Sequence, residues 1–189
     1  MKLLLPNCCL VVLALGLSLG NALAADTHTL WQFGQADTNN TEFALAPKGW
    51  TEFKSDAFFV VGVSEPTRDW PYVQPGPDDR WAGGRAHTFT IAFGVKGAAA
   101  EGECKLQVNL LDTQQPFPPK LQVEVNGRRF EQQLPPGAGD ESLQGNPAKG
   151  KPYQLTINFP VSLLKSGNNR QELNNDGRTD IGHDSKSED

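Results

Sequence analysis

The chain has 189 residues, of which 38% are hydrophobic and 21% are charged, and its formal net charge at pH 7 is −5. A mildly acidic chain without a basic stripe is a poor partner for nucleic acid and for anionic membrane surfaces. The length is sufficient for one domain with its own core, and too short for a second domain of useful size.

The first residues have the pattern of an export signal. Lys2 precedes an apolar run that extends to Leu19, and Ala22-Leu23-Ala24 has the small-x-small pattern of a signal peptidase site. A transmembrane anchor is the alternative, but Pro6 interrupts a run of marginal length. We therefore expect residues 1–24 to be a signal peptide, and the mature protein to be secreted or periplasmic and to have no membrane contact after cleavage.

The predicted cleavage would leave one of the three cysteines in the mature chain. Cys8 and Cys9 leave with the signal, so Cys104 is the only cysteine that remains. A mature chain of this kind has no disulfide and is held by packing alone, and we expect Cys104 to be a buried structural thiol.

Two strands are predicted in the first third of the mature chain. Residues 29–33 alternate apolar and polar side chains, and Gly34 ends this segment. Residues 57–63 form a continuous apolar run, which is typical of a strand that is buried on both faces.

Residues 64–84 are predicted to form an ordered surface loop, because four prolines cannot donate to a sheet ladder. This loop carries Trp70, Tyr72 and Trp81, whose flat rings could stack on sugar rings. Three charged neighbours could hydrogen-bond sugar hydroxyls or a uronate carboxylate, namely Arg68, Asp69 and Arg80. The alternative for each ring is that it plugs the end of the fold as part of the core.

The middle of the chain predicts four more strands. Residues 87–95 and 105–111 alternate apolar and polar side chains. Residues 121–125 and 128–134 flank Asn126-Gly127, the pair best suited to a type I′ hairpin turn. A two-residue loop would place Val125 opposite Arg128, and Val123 opposite Phe130.

A seventh strand is predicted at residues 153–159, after a glycine- and proline-rich loop. No amphipathic helix of three turns is found, so the pattern favours an antiparallel β-sandwich. The predicted core residues are Phe89, Ile91, Leu106, Val108, Val123, Phe130, Leu155 and Ile157.

The C-terminal segment has part of the spacing of a calcium loop. Glu172, Asn174, Asp176, Gly177 and Asp180 fall at positions one, three, five, six and nine of that pattern. Position twelve is His183, a poor calcium ligand, so a solvated acidic tail is the better interpretation. No metal site or other cofactor is predicted.

No catalytic constellation is predicted either. His28, His87 and His183 are scattered along the chain, without a triad, metal-ligand spacing or nucleophile elbow near them. Of the three, His87 near Arg85 is the best candidate for a catalytic base. The favoured interpretation is a structural histidine at the edge of a strand, with its hydrogen bonds satisfied.

Three groups of residues, in this order and spacing, carry a family resemblance. They are Leu30-Trp31-Gln32-Phe33-Gly34 with Asp37 and Glu42-Phe43, then Asp69-Trp70-Pro71-Tyr72, then Val125-Asn126-Gly127 followed by Ser166-Gly167-Asn168. Together they resemble the C-terminal (third) domain of rhamnogalacturonan lyases, polysaccharide lyase family 4. The resemblance implies a jelly-roll β-sandwich of the galactose-binding, carbohydrate-binding-module type. It also implies that the catalytic lysine and histidine belong to an N-terminal domain outside this chain.

The sequence departs from this family after the Gly-Asn turn. Family members continue with a strand, a Gly-Ser-Trp segment and a final strand, whereas residues 171–189 have almost no apolar side chain. We therefore expect a sandwich over residues 25–170 that lacks its last strand, and a disordered polar tail over residues 171–189.

Three functions follow from the resemblance. The first is a secreted module that binds pectin-type polysaccharide such as rhamnogalacturonan and has no catalytic activity alone. The second is a lyase component that acts with a catalytic domain or a partner protein on another chain. The third is an interaction domain whose open sheet edge pairs with another protein.

Overall fold

A computed structural model of the chain describes residues 2–6, 27–97, 101–115 and 117–177. Within these ranges, nine strands form two sheets around one apolar core. The strands are β1 (Lys2–Pro6), β2 (Thr27–Gln32), β3 (Ala57–Val60), β4 (Thr88–Val95), β5 (Glu103–Leu110), β6 (Lys120–Val125), β7 (Arg128–Gln133), β8 (Tyr153–Pro160) and β9 (Gly167–Asn175). The order is β2-β1-β5-β8 in the first sheet and β3-β4-β9-β6-β7 in the second. The predicted β-sandwich is therefore confirmed.

Helical structure is confined to short connections. One α-helix, α1 (Pro66–Asp69), follows β3, and single 3-10 turns lie at Trp50–Glu52, Arg80–Ala82, Pro147–Lys149 and Val161–Leu163. Among the described residues, no helix has the length and apolar character needed to cross a membrane.

Strand β3 corrects two details of the prediction. It pairs with β4 in parallel, whereas a fully antiparallel sandwich was expected. The long connection between them, which contains α1, provides the crossover that a parallel pair requires. The outer face of β3 meets solvent, because no further layer of the described residues covers this sheet: the side chain of Phe58 is 58% exposed, and Val63 beyond the strand is 73% exposed. Residues 57–63 are therefore not buried on both faces.

The predicted hairpin is confirmed in register and in turn geometry. Val125 lies opposite Arg128, and Val123 lies opposite Phe130. Asn126 and Gly127 have φ angles of 47° and 91°, the positive values that a type I′ turn requires. Local side-chain chemistry alone therefore places β6 and β7, while β5 lies in the other sheet beside β8.

Strand β9 shows that the predicted C-terminal boundary is wrong. It runs to Asn175 between β4 and β6, in the middle of the second sheet, whereas residues 171–175 were assigned to a disordered tail. Leu173 and Gln171 are each only 1% exposed. The physical reason is that a central strand can bury amide side chains whose polar atoms are paired. The tail prediction for residues 178–189, and any strand beyond them, lie outside the described residues.

The side chain of Asn126, in the hairpin turn, connects the hairpin to β9. The amide of Asn126 donates to the carbonyl of Leu163 and to Asn169 Oδ1, both at 2.7 Å. Its own oxygen accepts the backbone N–H of Arg170 at 2.9 Å. The two turns that carried the family resemblance are thus joined in space by hydrogen bonds.

Strand β1 overlaps the predicted export signal. It pairs antiparallel with both β2 and β5, and β2 has no other strand neighbour among the described residues. Cleavage after residue 24 would therefore remove the strand that joins β2 to the first sheet. The signal peptide and the extracellular location stay predictions.

The core has the predicted composition. Seven of the eight predicted core residues are at most 8% exposed, and Phe130 is half-buried. Trp31 is 5% exposed and tilts against Phe93 of the opposite sheet at 5.7 Å between ring centroids. Cys104 is fully buried and free, as expected, and burial raises the pKa of its thiol to about 12.

We expect Cys104 to resist alkylation in the folded protein. A raised pKa keeps the thiol protonated until the pH approaches about 12, and only the thiolate reacts. Iodoacetamide at pH 8 should therefore label the peptide that contains Cys104 only after urea is added, as followed by mass spectrometry. Rapid labelling without denaturant would show that Cys104 is not buried.

Candidate functional site

A cleft of about 450 Å³ lies at the end of the sandwich where β5, β7 and β9 finish. One wall comes from residues 33–50 and 70–81, and the facing wall comes from residues 108–114 and 134–144. Four half-buried aromatic side chains line it, namely Phe43, Trp50, Tyr72 and Trp81. Trp50 and Trp81 meet edge to face, with centroids 5.1 Å apart and an interplanar angle of 85°.

Trp81 is positioned by the turn that precedes it. The turn starts at Asp79, whose Oδ2 accepts the backbone N–H of Gly76 at 2.8 Å. The other oxygen of Asp79 accepts the indole Nε1–H of Trp81 at 3.0 Å. This carboxylate therefore fixes the indole while leaving part of the ring on the cleft wall.

Tyr72 connects the two walls of the cleft. Its hydroxyl donates to the carbonyl of Leu143 at 2.6 Å, across 71 residues of sequence. Its backbone N–H donates to the carbonyl of Ala44 at 3.1 Å. Burial raises the pKa of the Tyr72 hydroxyl, so the group remains a neutral donor across the ordinary pH range.

Asp112 organises the facing wall. Its Oδ1 accepts the backbone N–H groups of Thr113 and Ala138, both at 2.9 Å, and its Oδ2 accepts the hydroxyl of Ser142 at 2.7 Å. The loop packs so closely here that a Cβ on Gly137 would lie 1.7 Å from the carbonyl oxygen of Thr113. One carboxylate thus joins the loop after β5 to the loop after β7.

Asn40 supplies an unused polar group on the first wall. Its side chain is 1% exposed, and neither its amide nitrogen nor its amide oxygen has a hydrogen-bond partner among the described residues. A buried amide without partners is uncommon, because leaving it unsatisfied costs about 1–3 kcal/mol. Asn40 is therefore an unsatisfied amide that lies behind the surface of this wall.

Trp70 does not provide the exposed ring face that the sequence suggested. It is 6% exposed and packs edge-on against Phe33, Phe59 and Phe89 at centroid distances of 5.2, 6.1 and 5.6 Å. The alternative that a ring plugs the end of the sandwich holds for Trp70, because it lies over the aromatic core. Of the three predicted rings, Tyr72 and Trp81 reach the cleft as partly exposed side chains.

The three predicted charged residues are not brought to the cleft wall. Arg68 and Asp69 form a two-point ion pair within α1, with Arg68 Nε and Nη2 at 2.8 and 2.7 Å from the two carboxylate oxygens. The Arg68 guanidinium holds the pKa of Asp69 below its usual value. Arg80 is exposed and precedes Trp81, outside the cleft lining. Their predicted contact with sugar stays a prediction.

His87, the least implausible base, is fully buried. Its Nδ1 lies 2.8 Å from Asp56 Oδ1, and its Nε2 lies 3.0 Å from the carbonyl of Ala82. Partial burial opposes the ionisation of Asp56, but the hydrogen bonds from Arg85 and His87 outweigh it and lower the pKa of this carboxyl. Both ring nitrogens already have partners, as expected of a structural histidine.

The residues of the calcium pattern do not form a loop. Glu172 and Asn174 lie in β9, where Glu172 pairs with Arg170 and Asn174 lies opposite Thr88. Across the described part of the chain, no three His, Cys, Asp or Glu side chains are placed to hold a metal ion. Asp180 and His183 lie outside the described residues.

Sequence reasoning missed four residues of the cleft: Asn40, Trp50, Asp79 and Asp112. Trp50 carried a usable signal, since it is a large aromatic residue between predicted strands. The other three are polar residues in turn-like sequence, and such residues are usually solvated. Only the folded arrangement of distant loops brings them to one cleft.

Comparisons with known proteins agree with this architecture. The model of the family "CBM-like: Polysaccharide lyase family 4, domain III" matches residues 29–185. A rhamnogalacturonate lyase of Dickeya dadantii (strain 3937) is 26% identical over 158 residues, covering 76% of this chain and 25% of that enzyme. The match therefore spans about a quarter of the length of this relative.

Proposed function

Because the chain belongs to the CBM-like domain III of polysaccharide lyase family 4, we propose that it is a carbohydrate-binding module whose sugar site is the cleft at the end of the sandwich. The family membership makes it a counterpart of a non-catalytic domain of a rhamnogalacturonan lyase. The proposed ligand class is pectin-type polysaccharide, and the proposed location is outside the cytoplasm.

The observation that carries this proposal is the set of aromatic rings on a polar cleft. Trp50, Tyr72 and Trp81 present apolar ring surface, as sugar C–H groups require, and amide and carboxylate oxygens lie around them. A few ring contacts and hydrogen bonds imply an affinity between roughly millimolar and micromolar, on the order of 4 to 8 kcal/mol.

We expect Trp81→Ala to weaken polysaccharide binding about tenfold, because it removes ring surface from the cleft wall. Affinity gel electrophoresis in rhamnogalacturonan would measure the retardation of the unchanged protein and of the variant. Thermal melting would verify that the variant is folded.

Phe58→Ala is the matched control, since Phe58 is 58% exposed on the outer face of β3 and does not line the cleft. This variant should be retarded as strongly as the unchanged protein. Equal retardation of all three proteins would contradict the placement of the site in the cleft.

A second candidate function is a lyase component that works with a catalytic domain on another chain. It is favoured by the relative, which is named a lyase and is about three times as long as this chain. This candidate requires new ultraviolet absorbance from unsaturated sugars when the chain is mixed with its partner. It also requires the partner to co-purify with the chain.

A further inference from the structure

The charge of the cleft points to a more specific ligand class. Its wall includes three carboxylates, from Asp79, Asp112 and Asp140, and it includes no Lys, Arg or His among the described residues. The remaining polar groups on the wall are neutral amides and hydroxyls. A ligand in this cleft therefore meets negative charge that no wall cation offsets.

Two of these carboxylates are fixed in place. Asp79 is held between Gly76 and Trp81, and Asp112 is held by Thr113 of its own loop and by Ala138 and Ser142 of the loop between β7 and β8. Because the loops depend on them, neither carboxylate can turn away to admit an anionic group. Asp140 is exposed at the edge of the same wall.

The two arginines that were predicted to contact sugar do not compensate. Arg68 is already paired at two points with Asp69, and Arg80 lies outside the lining. Recognition of a uronate normally uses a guanidinium or ammonium group that meets its carboxylate. No described side chain on the wall provides one.

The cleft does provide groups that suit hydroxyls. The amide side chains of Gln74, Asn109 and Gln144 line it and are at least partly exposed. A carboxylate accepts hydrogen bonds from sugar hydroxyls, whereas it repels a second carboxylate. With the rings of Trp50 and Trp81, these groups fit an uncharged sugar.

We infer that the cleft selects neutral sugar units and rejects uronates, so that the module binds the uncharged part of a pectin-type polysaccharide. This inference rests on the proposed function, since it specifies the ligand of the same site. It replaces the expectation that Arg68 and Arg80 bind a uronate carboxylate.

The test compares three probes by affinity gel electrophoresis with the whole chain at low ionic strength. A neutral galactan and a rhamnogalacturonan with neutral side chains should both retard the protein. Polygalacturonate should retard it at least about tenfold more weakly, because like charges brought together disfavour association. Added salt should reduce this difference by screening the charges.

Two charge variants separate the cleft from the net charge of the protein. Asp140→Lys should strengthen polygalacturonate binding about fivefold and leave galactan binding within about twofold. Glu141→Lys makes the same charge change at an exposed neighbour outside the lining, and should change neither.

Each contrary result has a distinct meaning. Polygalacturonate binding as strong as galactan binding would overturn the inference and leave the sugar site intact. Equal effects of the two variants would also overturn the inference, because the preference for neutral sugar would then come from the net charge of the protein. Absence of retardation by all three probes would overturn the proposed function and this inference together.

Discussion

The Trp70→Ala variant is expected to lose about 3–5 kcal/mol of the free energy of unfolding, the usual cost of removing a large buried aromatic side chain. Trp70 is 6% exposed and contacts three core rings, so its removal leaves a cavity that the aromatic cluster cannot fill. A loss of this size is a large part of the total stability of a typical domain. Urea denaturation followed by circular dichroism would measure it.

The outcome separates a core role from a role in ligand binding. Phe58→Ala, which removes a mostly exposed ring from β3, should cost less than about 1 kcal/mol. A Trp70→Ala protein that is as stable as the unchanged protein, but no longer binds polysaccharide, would restore Trp70 to a binding surface and contradict the fold described above.

Replacement of Asp112 is expected to have the second largest effect. Asp112→Ala removes the acceptor of the backbone N–H groups of Thr113 and Ala138, and it leaves the hydroxyl of Ser142 with only the more distant carbonyl of Gly139 at 3.4 Å. Hydrogen bonds to a charged group contribute about 1.5–3 kcal/mol each, but water can replace some of them, so we expect a net loss of about 3 kcal/mol. The loop at residues 134–151 should also become sensitive to proteolysis.

The Asp112→Asn variant is the matched control, because the amide keeps one acceptor oxygen in nearly the same volume. Its loss of stability should be about half that of Asp112→Ala. The same denaturation and limited proteolysis experiments apply to both. An Asp112→Ala protein with unchanged stability and unchanged cleavage would show that the carboxylate does not hold this wall.

The parts of the fold that could be predicted are those fixed by nearby residues. The Asn126-Gly127 turn and the alternation on either side of it determine a hairpin and its register. Strand β9 could not be predicted in the same way, because Asn169 and Gln171 are buried polar residues. Asn169 is satisfied by contacts with Lys165, Gly167 and Asn126, and only the assembled sheet creates them together.

The candidate site likewise has residues that the sequence identifies and residues that only the assembled fold brings together. Trp70 and Trp81 lie in one proline-rich loop, and their sequence surroundings do not distinguish a core ring from a cleft ring. The difference arises because Trp70 lies over Phe59 and Phe89, whereas Trp81 meets Trp50 at the cleft. Asp112 enters the cleft from a loop about 30 residues later in the chain, which no local pattern could place beside them.

The central claim is that sugar binds at the end of the sandwich, and a titration followed by heteronuclear NMR tests it most directly. The chain has four tryptophans, and their indole N–H signals report on separate places. Addition of galactan oligosaccharide should shift the signals of Trp50 and Trp81, which line the cleft as half-buried rings, more than that of Trp31 in the core. Shifts confined to the outer face of either sheet, with the Trp50 and Trp81 signals unmoved, would contradict the claim.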